Sequence, residues 1–127
     1  MEKKTTAKKV QHAKEQVVNV DATRKPIGRL ATEVATIIHG KTSPSFTPDR
    51  IPAISVVIEN IDKINVSEKK LDENAFYRSS GYPGGLKRIT WKKLYSKSPQ
   101  TLFLKVIQNM LPRNTLRKTL LKKISFK

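Results

Sequence analysis

A layered α/β fold is predicted, and three observations predict it. Residues 17–40 read strand, turn, helix; "ISVVIENI", from Ile54 to Ile61, is a nearly continuous apolar strand; and the last third has helical spacing of its apolar residues. Strands interleaved with helices argue for packed α/β layers. An apolar run without alternation is the pattern of a strand in a helix-covered sheet.

"VVNV", Val17 to Val20, is short, β-branched and strand-like. "DATRKP" then turns, and Pro26 sets the chain up for a helix. Ile27, Leu30, Val34 and Ile37/Ile38 recur at intervals of three and four, which makes one apolar helix face, and Gly40 follows as its C-terminal cap. Prolines 44, 48 and 52 exclude regular structure from "KTSPSFTPDRIP", leaving a surface loop. After Ile54 to Ile61, "KINV" reads as a third strand, "SEKKLDEN" as a polar connection and "AFYR" as a fourth strand. The expected sheet therefore has about four strands.

The remainder is helical. A short helix over about Thr90 to Lys97 presents Trp91, Leu94 and Tyr95. Ser98 before Pro99 matches an N-cap with proline at the first helical position. Leu102, Phe103, Val106, Ile107 and Met110 make a wide apolar face, which Pro112 ends near Leu111. Leu116, Leu120 and Ile124 recur every four residues in a final helix. One domain, 17–127, is expected behind a basic N-terminal arm, 1–16. At 127 residues and 37% hydrophobic content a single core is affordable, burying roughly two-thirds of the unfolded surface.

Charge is the informative quantity. Lys and Arg number 26 against 10 acids, a net +16. A field of this size disfavours the compact state unless a polyanion neutralises it. The signs are also segregated: Asp49 to Asn74 holds six acids and four bases, whereas Phe76 to Lys127 holds thirteen bases and no acid. A solvated surface normally mixes both signs. Nucleic acid is therefore the expected partner, ahead of an anionic membrane. No apolar run approaches the ~20 residues of a membrane span, and the start lacks the apolar segment of a secretory signal. The absence of cysteine removes disulfides and cysteine-based zinc ribbons.

Catalytic chemistry finds little support. The two histidines, His12 and His39, stand apart in sequence and read as surface residues, so neither zinc nor a histidine-based triad is expected. The acids fall mostly on loop-like sequence. "GYPGG" has neither the G-x-G-x-x-G nor the P-loop spacing, and "DATRKPIGR" lacks the dinucleotide glycines. No enzyme, cofactor, metal or small-molecule substrate is expected.

The stretch "YRSSGYPGGLKR", Tyr77 to Arg88, suits a bulkier anion. Its glycines permit close backbone approach, Pro83 lowers the entropy lost on docking, and Arg78, Lys87 and Arg88 supply charge. Tyr77 and Tyr82 offer faces for unpaired bases, although Tyr77, on a strand, fits a core position equally well. If six to ten cations contact phosphates, affinity should fall about 10³–10⁵-fold between 50 and 200 mM salt. A sequence-specific DNA- or mRNA-binding regulator is the alternative reading, but the bases spread over several elements rather than one recognition helix.

Four strings add a resemblance. "VDATRKPIGRLATEVATIIHGK", "SFTP", "YRSSGYPGGLK" and "MLPRNTLRKTLLKK" resemble, in order and spacing, the signature segments of the large-subunit ribosomal protein L13 family in its bacterial form. The resemblance runs from about Val17 to Ile124. It implies a three-layer α/β/α fold around a small, largely parallel sheet, and a structural, non-catalytic role. Members bind large-subunit rRNA of the 23S type beside neighbouring ribosomal proteins and enter the particle early in assembly. The implied location is the cytoplasmic ribosome, with an organellar ribosome the other option. The implied RNA-facing residues are Lys25 and Arg29, then Lys41, Thr47 and Pro48. They continue with Arg78, Ser80, Gly81, Tyr82, Pro83, Gly84, Gly85 and Lys87, and end with Arg113, Asn114, Arg117, Lys118, Lys122 and Lys123. The chain departs from the family at Ser79, where histidine is usual, and at Thr115 and Arg117, where arginine and glycine are.

Overall fold

The computed structural model describes residues 16–127. The arm expected over 1–16 lies outside the described residues except for Gln16, which already belongs to the first strand.

Strand β1, Gln16–Asp21, leads into a tight turn. The Asp21 carboxylate accepts from the Thr23 amide at 3.0 Å and the Thr23 hydroxyl at 2.7 Å, an arrangement that offers the backbone a local alternative to continuing the strand. Hydrogen bonds from the Thr23 side chain and backbone hold the Asp21 carboxyl below the usual carboxylate range. Helix α1, Ile27–Ile38, buries Ile27, Leu30, Ala31, Val34 and Ile38. That is the face its spacing predicts, except that Ile37 is only half-buried. Gly40 closes the helix at φ +79°, with its N–H on the Ile37 carbonyl and the Lys41 N–H on Thr36.

The proline-rich loop delivers the chain to β2, Ile54–Glu59, which pairs parallel with β1 from Gln16↔Ile54 to Asp21↔Glu59. "KINV" is no third strand. Ile61–Lys63 forms a 3₁₀ turn, and only Asn65 bridges, to Pro26. The polar connection is itself a short helix, α2, Glu68–Glu73. "AFYR" is strand β3, Ala75–Ser79, yet it leaves the main sheet and forms an antiparallel hairpin with β4, Leu86–Thr90. Helices α3, Trp91–Lys97, and α4, Pro99–Met110, follow. The Ser98 hydroxyl accepts from the Thr101 amide at 3.4 Å and Pro99 occupies the first turn of α4.

Helix α5, Leu116–Lys122, stops two residues short of the Ile124 to which the four-residue spacing runs. Ile124 belongs instead to β5, Ile124–Phe126, parallel to β2 with Val56↔Ile124 in register. The sheet order is β1-β2-β5. The α/β prediction holds with altered sheet details: three parallel strands rather than about four, plus a detached hairpin.

The core lies between one sheet face and the helices. Val20, Val56, Ile58 and Ile124 meet Leu30, Val34 and Ile38 of α1, and Leu102, Phe103, Val106 and Ile107 of α4. Phe103 also meets Phe126 edge-on at 6.4 Å. Each such side chain contributes about 1.5–3 kcal/mol by leaving water. The other sheet face carries Val17, which is 63% exposed, with Asn19, Ser55, Val57 and Ser125. Neither Val17 nor Val57 belongs to the apolar cluster, so the helical layer on the first face holds the described residues together.

Candidate nucleic-acid interface

The hairpin is anchored at one end and bare at the other. Phe76 stacks on Trp91 at 5.8 Å, fastening β3 to α3. Beyond Tyr77 nearly every residue is exposed through Arg88, with Gly85 half-buried. The tip closes through the Ser80 N–H on the Gly85 carbonyl, 3.1 Å, and the Gly85 N–H on the Tyr82 carbonyl, 3.0 Å. Pro83 and Gly84 are the central pair of that last turn, and Gly84 takes φ +72° as a type II turn demands. A Cβ on Gly85 would collide with the Ser80 hydroxyl. The N–H groups of Tyr82 and Gly84 find no acceptor among the described residues and are available to an anion.

Register divides the hairpin into two faces. Arg78 lies directly opposite Lys87, on the face that also carries Phe76 and Ile89. Like charges placed opposite each other are destabilising, and no carboxylate of the described residues pairs with either. Tyr77 opposite Arg88 and Ser79 opposite Leu86 form the second face. Tyr77 and Leu86 are about three-fifths exposed and Tyr82 is 80% exposed, unusual for large apolar groups. This end of the molecule presents cations, free amides and flat aromatic surface together.

A second cationic region forms where the 41–53 loop meets the segment after α4. Lys41 and Pro112 line the same groove, of about 290 Å³, together with Thr32, Thr36, His39 and Met110. The His39 ring lies against Phe46 of the loop, tilted by 44° with centroids 5.1 Å apart, and its buried Nδ1 has no hydrogen-bond partner among the described residues. Leaving such an atom unsatisfied costs about 1–3 kcal/mol. Sequence reasoning placed His39 on the surface; it is half-buried, and its ring meets Phe46, whose fold-back no local pattern announces. Thr47 and Pro48 sit exposed on the same loop.

Several predicted residues have structural duties. Lys25 pairs with Glu33 at 3.1 Å. The Asn114 side chain accepts from the Arg117 amide at 3.0 Å, capping α5. Arg117 donates to the Gln108 carbonyl at 3.3 Å, and Lys123 donates to the Pro52 carbonyl at 2.7 Å. Lys123 thereby ties the end of α5 to the proline loop. Arg29, Lys41, Arg78, Lys87, Arg113, Lys118 and Lys122 are exposed and enter neither ion pair found among the described residues. Among the described residues, Lys92 is the one cation of 78–127 in an ion pair, with Asp72 at 3.1 Å. The described residues contain no group of three His, Asp or Glu side chains able to hold a metal. No helix among them is long and apolar enough to cross a membrane.

The profile of the family described as Ribosomal protein L13 matches residues 15–126. The chain belongs to the ribosomal protein L13 family. It is 41% identical to the large ribosomal subunit protein uL13 of Citrifermentans bemidjiense, over 91% of this chain and 85% of that protein. Against uL13 of Alcanivorax borkumensis the identity is 40%, over 95% and 85%. Against uL13 of Thermotoga petrophila it is 39%, over 95% and 81%. The four segments that carry the L13 resemblance fall on α1 with its flanking turns, the proline loop, the hairpin tip, and the stretch from Met110 through α5.

Proposed function

We propose that this chain is a structural constituent of the large ribosomal subunit in the cytoplasm. It binds 23S-type rRNA through its basic loops and helices and joins the particle early in assembly. It is a scaffold rather than an enzyme, and its partners are rRNA and the large-subunit proteins beside it. One observation carries the reading: thirteen cations from Arg78 to Lys127 without an acid among them, of which just one forms an ion pair among the described residues. Such a surface is stable as a neutralised interface and strained as a free one. Family membership supplies the kind of polyanion.

The RNA contacts divide by geometry. Arg78, Lys87 and the amides around Gly84 hold phosphates at the hairpin, with Tyr77 and Tyr82 stacking on unpaired bases. Lys41 and Arg113 hold backbone at the far end of α4, and Lys118 and Lys122 do so along α5, where Lys122 shares a groove with Thr101 and Lys105 of α4. Arg117 and Lys123 contribute through the fold they brace.

Sedimentation tests the proposal. The tagged chain should co-migrate with large subunits at low salt and be stripped at high salt. Recovery in the free fraction alone would overturn it. A preference for duplex DNA over large-subunit rRNA in gel shifts would favour a regulator instead.

A further inference from the structure

We infer that the groove between the C-terminal turns of α1 and α4 receives one unpaired nucleotide of the RNA, base inward and phosphate at the rim. The inference rests on the RNA-binding reading above and adds a site to it. At about 290 Å³ the groove lies at the small end of ligand pockets, suiting a base with its sugar rather than a larger ligand.

Its walls are chemically divided. Ala35, Met110 and Pro112 give an apolar side on which a flat ring can lie, and a thioether is a favourable neighbour for an aromatic edge. Thr32 and Thr36 give the polar side. Each hydroxyl has one hydrogen, and the Gly28 carbonyl at 3.0 Å and the Thr32 carbonyl at 2.9 Å claim them. Both oxygens therefore present lone pairs and call for a donor, such as the amino group of a base. The Thr32 hydroxyl also sits 3.7 Å from Met110 Sδ, which brings the two walls together. His39 adds a buried nitrogen with no partner among the described residues, its ring against Phe46.

The charges sit where a phosphate would be. Lys41 lines the rim, and Arg113 follows directly on Pro112; both are exposed and unpaired among the described residues. The carbonyls at the end of α1 do not repel an anion as open ones would. Those of Ala35, Thr36 and Ile37 already accept from His39, Lys41 and Gly40. Two free cations disfavour an apolar peptide side chain as the occupant.

The test uses the full chain with isotope labels and AMP as the probe. Titration should give saturable millimolar shifts of the His39 side-chain and Met110 methyl resonances, and ribose 5-phosphate should shift them far less. No saturable shift with AMP, or an equal response to ribose 5-phosphate, overturns the inference. In parallel, Thr36→Phe fills the groove. Its affinity for large-subunit rRNA transcribed in vitro should fall roughly tenfold, the scale of one lost base stack. Undiminished affinity in the folded variant overturns the inference, and if the variant does not fold the AMP titration decides. Failure of the unmodified chain to bind the transcript overturns the functional reading and this inference with it. Tight RNA binding with an idle groove overturns this inference alone.

Discussion

Lys87→Gln should move stability and RNA affinity in opposite directions. Lys87 faces Arg78 across the hairpin with no acid among the described residues to separate them, and the substitution keeps an unbranched polar side chain, one atom shorter, while removing its charge. Cross-strand pairs are worth about 0.2–1 kcal/mol, and like charges work against pairing. Near the middle of that range, for a domain of this size, relief of repulsion raises Tm by about 1–3 °C at low ionic strength. In about 1 M salt, where the screening length is only ~3 Å, the gain should vanish. A gain that persists there would come from strand propensity instead. If Lys87 holds a phosphate as proposed, the same variant loses that contact on large-subunit rRNA. Its log–log salt slope should become shallower by about 0.7–0.9, and its affinity near physiological salt should drop about fivefold. Differential scanning fluorimetry and filter binding over a salt series read both quantities. A Tm that falls or stays put, together with an unaltered slope, would refute the reasoning and make the hairpin an ordinary turn.

Three other outcomes follow from local geometry. Gly84→Val places a β-branched residue at φ +72°, in open space but in a backbone region worth about 1–2 kcal/mol of strain; amide exchange of Ser80 and Gly85 should quicken about 5–30-fold, while Gly84→Asn leaves it nearly unchanged. Ser98→Ala removes the α4 cap and should lower stability by about 0.5–1 kcal/mol in urea melts, the low end because the bond is 3.4 Å long. Thr23→Val should return the Asp21 carboxyl toward its ordinary value, seen by NMR titration. Asp21 is depressed in the folded state, so its stabilising contribution is full above the unfolded carboxylate pKa and fades as pH falls through the lower folded one.

Elements with a buried stripe were legible, and those whose partners lie elsewhere in the chain were not. α1 and α4 bury most of the residues their spacing marks, because a periodic apolar face has one way to leave water, but Ile37 is only half-buried and Met110, at the end of α4, is 43% exposed. Ser98 and Pro99 fixed the start of α4, and Pro112 its end. β4 has no buried face to alternate, so nothing in "LKRIT" announces a strand. "AFYR" was recognisable as a strand, but the partner that pulls it out of the main sheet was not. In α5 the Leu116, Leu120, Ile124 spacing is real, yet Ile124 gains more beside Val56 than from another helical turn. The cationic half was visible in composition alone. That Lys25, Arg117 and Lys123 are engaged by the protein itself required coordinates, because their acceptors include backbone carbonyls that carry no residue signature.

The third strand of the sheet is drawn from residues 124–126, so vectorial synthesis delivers the whole acid-free half before the sheet can close. A nascent copy is for a time a polycation with an unfinished interior, and non-local parallel pairing is the slow kind of folding step. The interval between emergence of Arg78 and docking of Ile124 is when stray polyanions compete most effectively for each newly made molecule. Prompt delivery to its own binding site shortens that exposure.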